Sequence, residues 1–497
     1  MIITTVKETM NDNIEIRKVC PHDELCGGCT YQGVEYTKQL SEKESTARRY
    51  FVEKNAEEPP WDVTEAASAG MYEYRNKMEF TFGDLIKGGE LTLGMHKKGN
   101  FMSIVTVDEC QLVTEDFRKI LKFTLEHARE KGYGKYNKKS HCGLLRNLII
   151  RNGVRTDELL VNIVTSSEPG FKEEEFVSGL LSLELDDKIV GILRTVNDNI
   201  GDAVNPESVK ILWGRDYYME VVAGLKFKVS AFSFFQTNVA AAEKLYEDAV
   251  SLIDDLEGKT VFDLYCGTGT ISQIIARRAK NVVGVELVEE AVEAARENAE
   301  INGITNCEFI AGDVYKVLAD YDGVPDVIVV DPPRMGMSEK AVAKIMSYGV
   351  REILYVSCNP KTLAMNVRQF SLGGYKPVYG KLYDNFPMTR HVETVVLLCR
   401  KDIDSHIEVK LELDEDDVTK AESKGTYENI KEYVLDNYGF KVSTLYIAQI
   451  KRKCGLELGE NYNKSKKENS KVPECPKEKE DAIMDALRYF GMIVQEG

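Results

Sequence analysis

Phe262-Asp263-Leu264-Tyr265-Cys266-Gly267-Thr268-Gly269-Thr270 decides how the chain folds: an apolar strand ends in two glycines, and a helical pattern opens straight after them. Glycines at such a turn let the backbone approach a ligand and aim amide groups at an anionic part of it. Around it, apolar strands alternate with helical patterns: Thr260 to Leu264, Val282 to Val285, Phe309 to Ile310, Val327 to Val330 and Ile353 to Val356. That alternation predicts an α/β, Rossmann-like parallel sheet with helices on both faces. The helix Glu289 to Asn302 has acidic residues in its first turn and Asn302-Gly303 as its stop. Further on, Tyr375 to Leu382 and His391 to Cys399 read as two strands joined by a loop holding Asn385-Phe386-Pro387. Their closeness predicts an antiparallel pair at the sheet edge, which a dinucleotide-binding dehydrogenase does not require.

Upstream, short alternating stretches such as Lys77-Met78-Glu79-Phe80-Thr81-Phe82 and Leu159 to Val164 predict an α+β region rich in strands. Downstream, the acidic linker Glu412 to Asp417 leads to helical patterns at about 419–437, at Ser443 to Lys453 and after Pro476. The expected organisation is a central α+β domain over 1–235, a catalytic domain over 236–402 and a small helical domain over 418–497. With 64 Lys plus Arg against 81 Asp plus Glu, the net charge of −17 excludes a polyanion binder held by bulk charge. Any nucleic-acid surface must be a local patch. No run of about 18 apolar residues occurs, so no membrane span is expected. Met1 to Lys18 lacks the pattern of a signal peptide, which predicts a cytoplasmic protein. Eleven cysteines, an odd number in a long chain, argue against a secreted disulfide framework and raise metal and catalytic uses.

The dinucleotide fingerprint needs a third glycine, yet Thr270-Ile271-Ser272 follows Gly269. Glu286 ends the second strand, where a carboxylate can accept hydrogen bonds from both ribose hydroxyls, and Asp313 follows the third, within reach of an adenine amino group. Gly267, Gly269, Glu286 and Asp313 together suit S-adenosylmethionine; a tight turn beside an exposed acid is the plainer alternative. Asp331-Pro332-Pro333-Arg334 follows the fourth strand and Ser357-Cys358-Asn359-Pro360 the fifth, both at the edge where open α/β sheets bind ligands. A cysteine there can act as a thiolate nucleophile, although a lone cysteine is more often a small buried hydrophobe. Cys20, Cys26 and Cys29, with two glycines in the last gap, form a soft-ligand nest that needs one more thiolate.

These residues resemble a family. The cysteine nest with a distant Cys110, Phe235-Gln236-x-Asn238, the cofactor loop, Asp331-Pro-Pro-Arg334, Ser357-Cys358-Asn359-Pro360 and Phe386-Pro-x-Thr389-x-His391-Val392-Glu393 look like the RNA uracil-5-methyltransferases from about residue 15 to 400. The cysteine pattern is closer to the 23S ribosomal RNA enzymes than to the bacterial transfer-RNA enzyme, which lacks it. Only 19 residues precede Cys20, so the N-terminal RNA-binding barrel of some members is expected to be absent. The resemblance implies an S-adenosylmethionine-dependent methyltransferase sheet, a methylated uridine in 23S ribosomal RNA, and a role in rRNA processing. A transfer-RNA uridine methyltransferase and a catalytically silent iron-sulfur RNA-binding protein are the alternatives.

By the same resemblance Cys358 is the nucleophile that adds to carbon 6 of uracil, and Glu393 is the base that removes the carbon 5 proton. Asp331 orients the polar edge of the base and lies near the cofactor, while Gln236, Tyr265, Glu286 and Asp313 match cofactor contacts. Cys110 matches the fourth ligand of a 4Fe-4S cluster with Cys20, Cys26 and Cys29; four cysteines around zinc have the same spacing. Residues 129–155 hold eight basic side chains (Arg129, Lys131, Lys135, Lys138, Lys139, Arg146, Arg151, Arg155) against Glu130, interleaved with Tyr133 and Tyr136. They make either an RNA surface or a solvated loop. Residues 441–471, with eight basic groups against three acids, weakly suggest a helix-turn-helix-like module. RNA is the expected partner, a membrane is not, and a monomer is expected.

Overall fold

The computed structural model describes residues 19–67, 70–137, 140–199, 204, 206–401, 430–431, 433–435, 438, 440–453 and 475–489. The linker 412–417 and most of the basic stretch beyond Lys453 lie outside the described residues. One compact unit comprises 1–98 and 103–402, and a second comprises 99–102 and 403–497. In the second unit the helices Thr444–Lys453 and Lys477–Tyr489 bury Ile447, Ile450, Ala482, Ile483 and Leu487 together with Ile430 and Val434. No described helix is long and apolar enough to cross a membrane.

Strands β1 (Lys77–Asp84), β2 (Leu91–Lys97), β3 (Asn100–Thr106), β4 (Leu145–Gly153), β5 (Glu158–Thr165), β6 (Lys188–Val196) and β7 (Ser208–Gly214) form a seven-stranded sheet, ordered β3-β2-β1-β4-β5-β6-β7, which apart from residues 100–102 belongs to the first unit. In β1 the alternation reads directly: Met78, Phe80 and Phe82 enter the core, while Lys77, Glu79 and Thr81 take the other face. A hairpin, β8 (Tyr217–Val222) with β9 (Leu225–Ser230), leads on to the second large sheet.

That sheet comprises β10 (Thr260–Leu264), β11 (Asn281–Glu286), β12 (Cys307–Ala311), β13 (Val327–Val330), β14 (Glu352–Ser357), β15 (Tyr375–Tyr383) and β16 (Glu393–Arg400), ordered β12-β11-β10-β13-β14-β16-β15. The first five named are parallel, and β16 runs antiparallel between β14 and β15. The expected antiparallel pair is there, with its second strand inserted and its first at the edge. The β13 run Val327-Ile328-Val329-Val330 is buried on both faces, as a central parallel strand requires. Acidic Glu289 and Glu290 open the helix Glu289–Ile301, and Gly303 at φ +64° follows its end.

The loop from β15 to β16 joins both halves of the unit. Lys43, on the helix Tyr36–Glu53, makes a fully buried ion pair with Asp384 and also donates to Phe386 O at 3.1 Å. Gln39 accepts from Met388 N at 3.1 Å, Tyr74 donates its hydroxyl to Pro387 O at 3.0 Å, and Asn238 Nδ2 donates to Asn385 O at 3.1 Å. Burial opposes the charge on both partners, pushing Lys43 down and Asp384 up, and their mutual attraction offsets part of each shift. Removing one partner strands the other: Lys43→Ala is expected to cost about 3–5 kcal/mol in urea unfolding, whereas Lys43→Met with Asp384→Leu should cost much less.

Candidate active site

The carboxyl ends of β10, β11, β13 and β14 and the start of β16 gather the candidate residues. Antiparallel insertion explains the last of these: Ser357 pairs with Thr394, so Cys358 just past β14 and Glu393 at the head of β16 come out side by side. Glu393 is 4% exposed. Burial first, then the charge of Asp331, pushes its carboxyl up to about 8, with the Arg334 guanidinium pulling down. Burial also holds the Cys358 thiol up at about 12, with Glu393 and Asp331 adding to it and Arg334 opposing. Asp331 itself rises to about 7 through burial and the neighbouring Asp263. Asn359 caps the helix Pro360–Leu372, and its Nδ2 donates to Arg334 O at 2.9 Å, so the Cys358 turn is tied to the Asp331-Pro-Pro-Arg334 turn.

The cofactor loop is braced around Glu286. Gly267 N donates to its Oε2 at 3.1 Å and Val288 N to its Oε1 at 3.0 Å, while Tyr265 N and Cys266 N both donate to Val285 O. Tyr265 sits at φ +66°, a conformation rare for a bulky side chain. Burial pushes its hydroxyl up to about 12, with Asp313 and Glu286 nearby adding to this. Gly269, at φ +77°, precedes the helix Thr270–Ala276, and a Cβ there would lie 2.9 Å from the Phe309 ring. Asp313 is exposed and caps the helix Val314–Asp320 through Lys316 N at 3.1 Å. Gln236 reaches the Tyr246 hydroxyl, and its carbonyl accepts from Asn76 Nδ2 at 3.1 Å.

Two residues at the centre escaped sequence reading. Asp263 is fully buried, bonds Ser272 through one oxygen, leaves the other without a hydrogen bond and is pushed up to about 7 by burial. Its place in the loop, two residues before Tyr265, was the available signal. Burial, then the charges of Asp331, Glu393 and Asp263, push the hydroxyl of Tyr246, on the helix Val239–Ser251, well up, with its hydrogen bond to Gln236 opposing. Its sequence surroundings look like any apolar helix face.

Cys20, Cys26, Cys29 and Cys110 line one cavity of about 410 Å³ with Thr389, Arg390 and His391 of the β15–β16 loop. Gly27 closes the nest tightly: its N donates to His96 O at 2.8 Å, and a Cβ would meet that oxygen at 2.9 Å. Gly28 N donates to Cys26 Sγ at 3.3 Å. Burial, reinforced by the other cysteines, pushes Cys29 up to about 12 and Cys110 to about 11. Such thiols ionise together only around a cation, which fits a soft-metal group. Among the described residues no three such ligands close on a single ion.

The basic stretch 129–155 is mostly paired within the protein. Lys131 bonds Glu175, Lys135 bonds Asp84 at 2.7 Å and Arg155 bonds Glu243. Arg129 donates to Leu91 O, and Arg146 donates to the carbonyls of Asn197 and Asn199 from above the Tyr136 ring. Lys138 and Lys139 lie outside the described residues.

The tRNA (Uracil-5-)-methyltransferase family matches residues 199–314 and 314–401. A Clostridium tetani protein named as an uncharacterized RNA methyltransferase is 48% identical over 400 residues, 80% of this chain and 87% of the relative. A like-named protein of Clostridium acetobutylicum is 47% identical over 382 residues, 77% of this chain and 84% of the relative. Among solved structures, the Pyrococcus abyssi tRNA (uracil-54, C5)-methyltransferase in complex with S-adenosyl-L-homocysteine matches with a TM-score of 0.62 at 28% identity, over 75% of this chain and 86% of that one.

The two loop glycines should respond differently to a methyl group. Gly269→Ala meets both a left-handed backbone and the Phe309 ring, so a loss of about 2–3 kcal/mol is expected in urea unfolding. Gly267→Ala, at φ +53° with open space around it, should lose only about 1–2 kcal/mol.

Proposed function

The chain belongs to the RNA uracil-5-methyltransferase family, and on that premise we propose that it methylates carbon 5 of a uridine in 23S ribosomal RNA with S-adenosylmethionine. The observation that carries the chemistry is the meeting of Cys358 and Glu393 across β14 and β16, beside Asp331. Carbon 5 of uracil is a weak nucleophile. Cys358 Sγ bonds to carbon 6 as the thiol proton leaves, and the ring becomes an enolate whose carbon 5 is nucleophilic. S-adenosylmethionine supplies the methyl group that carbon 5 takes up. Glu393 then removes the carbon 5 proton, the Sγ–carbon 6 bond breaks, the carbon 5–carbon 6 double bond returns, and the thiolate regains a proton. Asp331, held up at about 7, can give or accept a hydrogen bond at the polar edge of the base. Glu286 would hold the cofactor's ribose, the turn at 267–269 would let its amino-acid end approach the backbone, and Gln236, Tyr265 and Asp313 would complete its surround.

The four cysteines hold a 4Fe-4S cluster in this reading. The four cysteines line one cavity of about 410 Å³ as a soft-ligand set that suits zinc or a cluster, and the family resemblance favours the cluster. The cysteine nest supports ribosomal RNA as substrate, through the family resemblance. The likeness to the Pyrococcus abyssi enzyme favours transfer RNA as the second reading. Mapping 5-methyluridine in both RNAs from cells lacking the protein decides between them: loss from 23S rRNA upholds the first, loss from transfer RNA only replaces it.

Cys358→Ala should abolish methylation, and Glu393→Gln should accumulate a methylated protein–RNA adduct seen on denaturing gels. Because Glu393 must be ionised to take the proton, adduct decay in single-turnover experiments should rise about tenfold per pH unit below 8 and level off above it. Anaerobically purified protein should contain iron and sulfide in equal amounts, about four of each per chain, and Cys29→Ser should lose both.

A further inference from the structure

On the face of the first sheet away from its core, three cations gather around one carboxylate. Lys77 on β1 stands directly opposite Arg151 on β4, and Glu79 follows Lys77 on the same face. Arg75 precedes β1, where its Nε donates to Lys77 O at 3.0 Å. Arg151 is 1% exposed. Its Nη2 donates to Ser233 O at 2.7 Å, it lies close to the Tyr218 hydroxyl, and its Nε and Nη1 have no hydrogen-bond partner. A buried guanidinium with two idle donors is costly unless something supplies acceptors. Glu79 leaves the group net positive, one carboxylate against three cations; burial raises its carboxyl, with Lys77 and Arg151 opposing.

The cluster opens onto a cavity of about 180 Å³ lined by Arg75, Lys77, Glu79, Phe234, Phe235 and Thr237. That segment flanks Gln236, and Asn76 anchors it from the β1 side through hydrogen bonds to Gln236 O and Thr237 O. The cavity therefore lies one residue from the candidate cofactor contact. The structure assigns this cavity to a phosphodiester of the bound RNA, held by Arg75 and Lys77 with Arg151 behind them as the fixed positive charge. The assignment rests on the reading of the protein as an RNA methyltransferase. Burial and the two arginines push Lys77 down to about 8, so the lysine carries its full charge most readily when an anion joins it. A phosphate seated there would fix the strand next to the target base, which has to leave any stack to reach Cys358.

The test uses the full-length protein, a fluorescein-labelled RNA stem-loop with a uridine-containing loop, and S-adenosyl-L-homocysteine. Lys77→Met should weaken RNA binding in anisotropy titrations by about tenfold at low salt and reduce the slope of log affinity against log salt by about one. Lys77→Arg should restore most of both. Affinity for S-adenosyl-L-homocysteine, measured by calorimetry, should be the same in wild type and Lys77→Met. RNA affinity and salt slope unchanged in Lys77→Met overturn the phosphate site alone. A parallel loss of S-adenosyl-L-homocysteine affinity overturns it too, because the cations would then serve the cofactor's carboxylate. Wild-type protein that binds no RNA overturns both this site and the parent reading.

Discussion

The buried pair between Lys43 and Asp384 is the constraint on which the site depends. It fixes a loop that would otherwise be a long connection between two strands, and that loop lines the cysteine cavity and leads directly into Glu393. Met388 sits within it at φ +65°, a conformation that survives only because Gln39 bonds its amide and its carbonyl takes the amides of Thr30 and Tyr31. Those two amides belong to the segment just after the cysteine nest. Five residues beyond Met388 comes Glu393, whose backbone pairs with Tyr383 across β15 and whose neighbour Thr394 pairs with Ser357. One clamp thus sets the position of the cysteine nest and of Glu393, the proposed base, together.

The second organising force is electrostatic. Asp263, Asp331 and Glu393 are buried within mutual influence, and burial moves all three carboxyls up, to about 7, 7 and 8. Three ionised acids there would repel one another, so the protein keeps protons on some of them near neutral pH. That is unfavourable for stability and useful for chemistry, because a base whose affinity for protons lies near the working pH can both take one and release it. Arg334, which is exposed, is the cation that counteracts the rise at Cys358 and Glu393. The same burial keeps the Cys358 thiol protonated at neutral pH.

How much of this was legible follows from what a sequence encodes locally. The strand-turn-helix at 262–270, the order of strands and the edge carrying Cys358 and Asp331 follow from periodicity and punctuation, which are local. That Glu393 should face Cys358 needed only one further step, the antiparallel direction of β16. Asp263 and Tyr246 were missed because their importance comes from what is packed on them: a strand aspartate and a helix tyrosine carry no mark of their neighbours. The basic stretch 129–155, read as either an RNA surface or a solvated loop, hid its partners in the opposite way. Counting charges along the chain ignores acids supplied from elsewhere, and Glu175, Asp84 and Glu243 come from distant segments.

The same correction alters where an acidic protein can hold RNA. With a net charge of −17, long-range attraction works against a polyanion, and screening limits any surface patch to about 8–10 Å. Affinity must then come from cations that the fold keeps apart from its abundant carboxylates. Arg129, Lys131, Lys135, Arg146 and Arg155 fail that condition, each being bonded to an internal acid or carbonyl. Arg75 and Lys77 come nearest to meeting it: they line a cavity whose lining holds one carboxylate, Glu79, and Arg151 stands buried behind them opposite Lys77. Cations that the fold has already taken partly out of water are worth more to an incoming phosphate than several neutralised ones on the surface, because the cost of their desolvation has been met in folding.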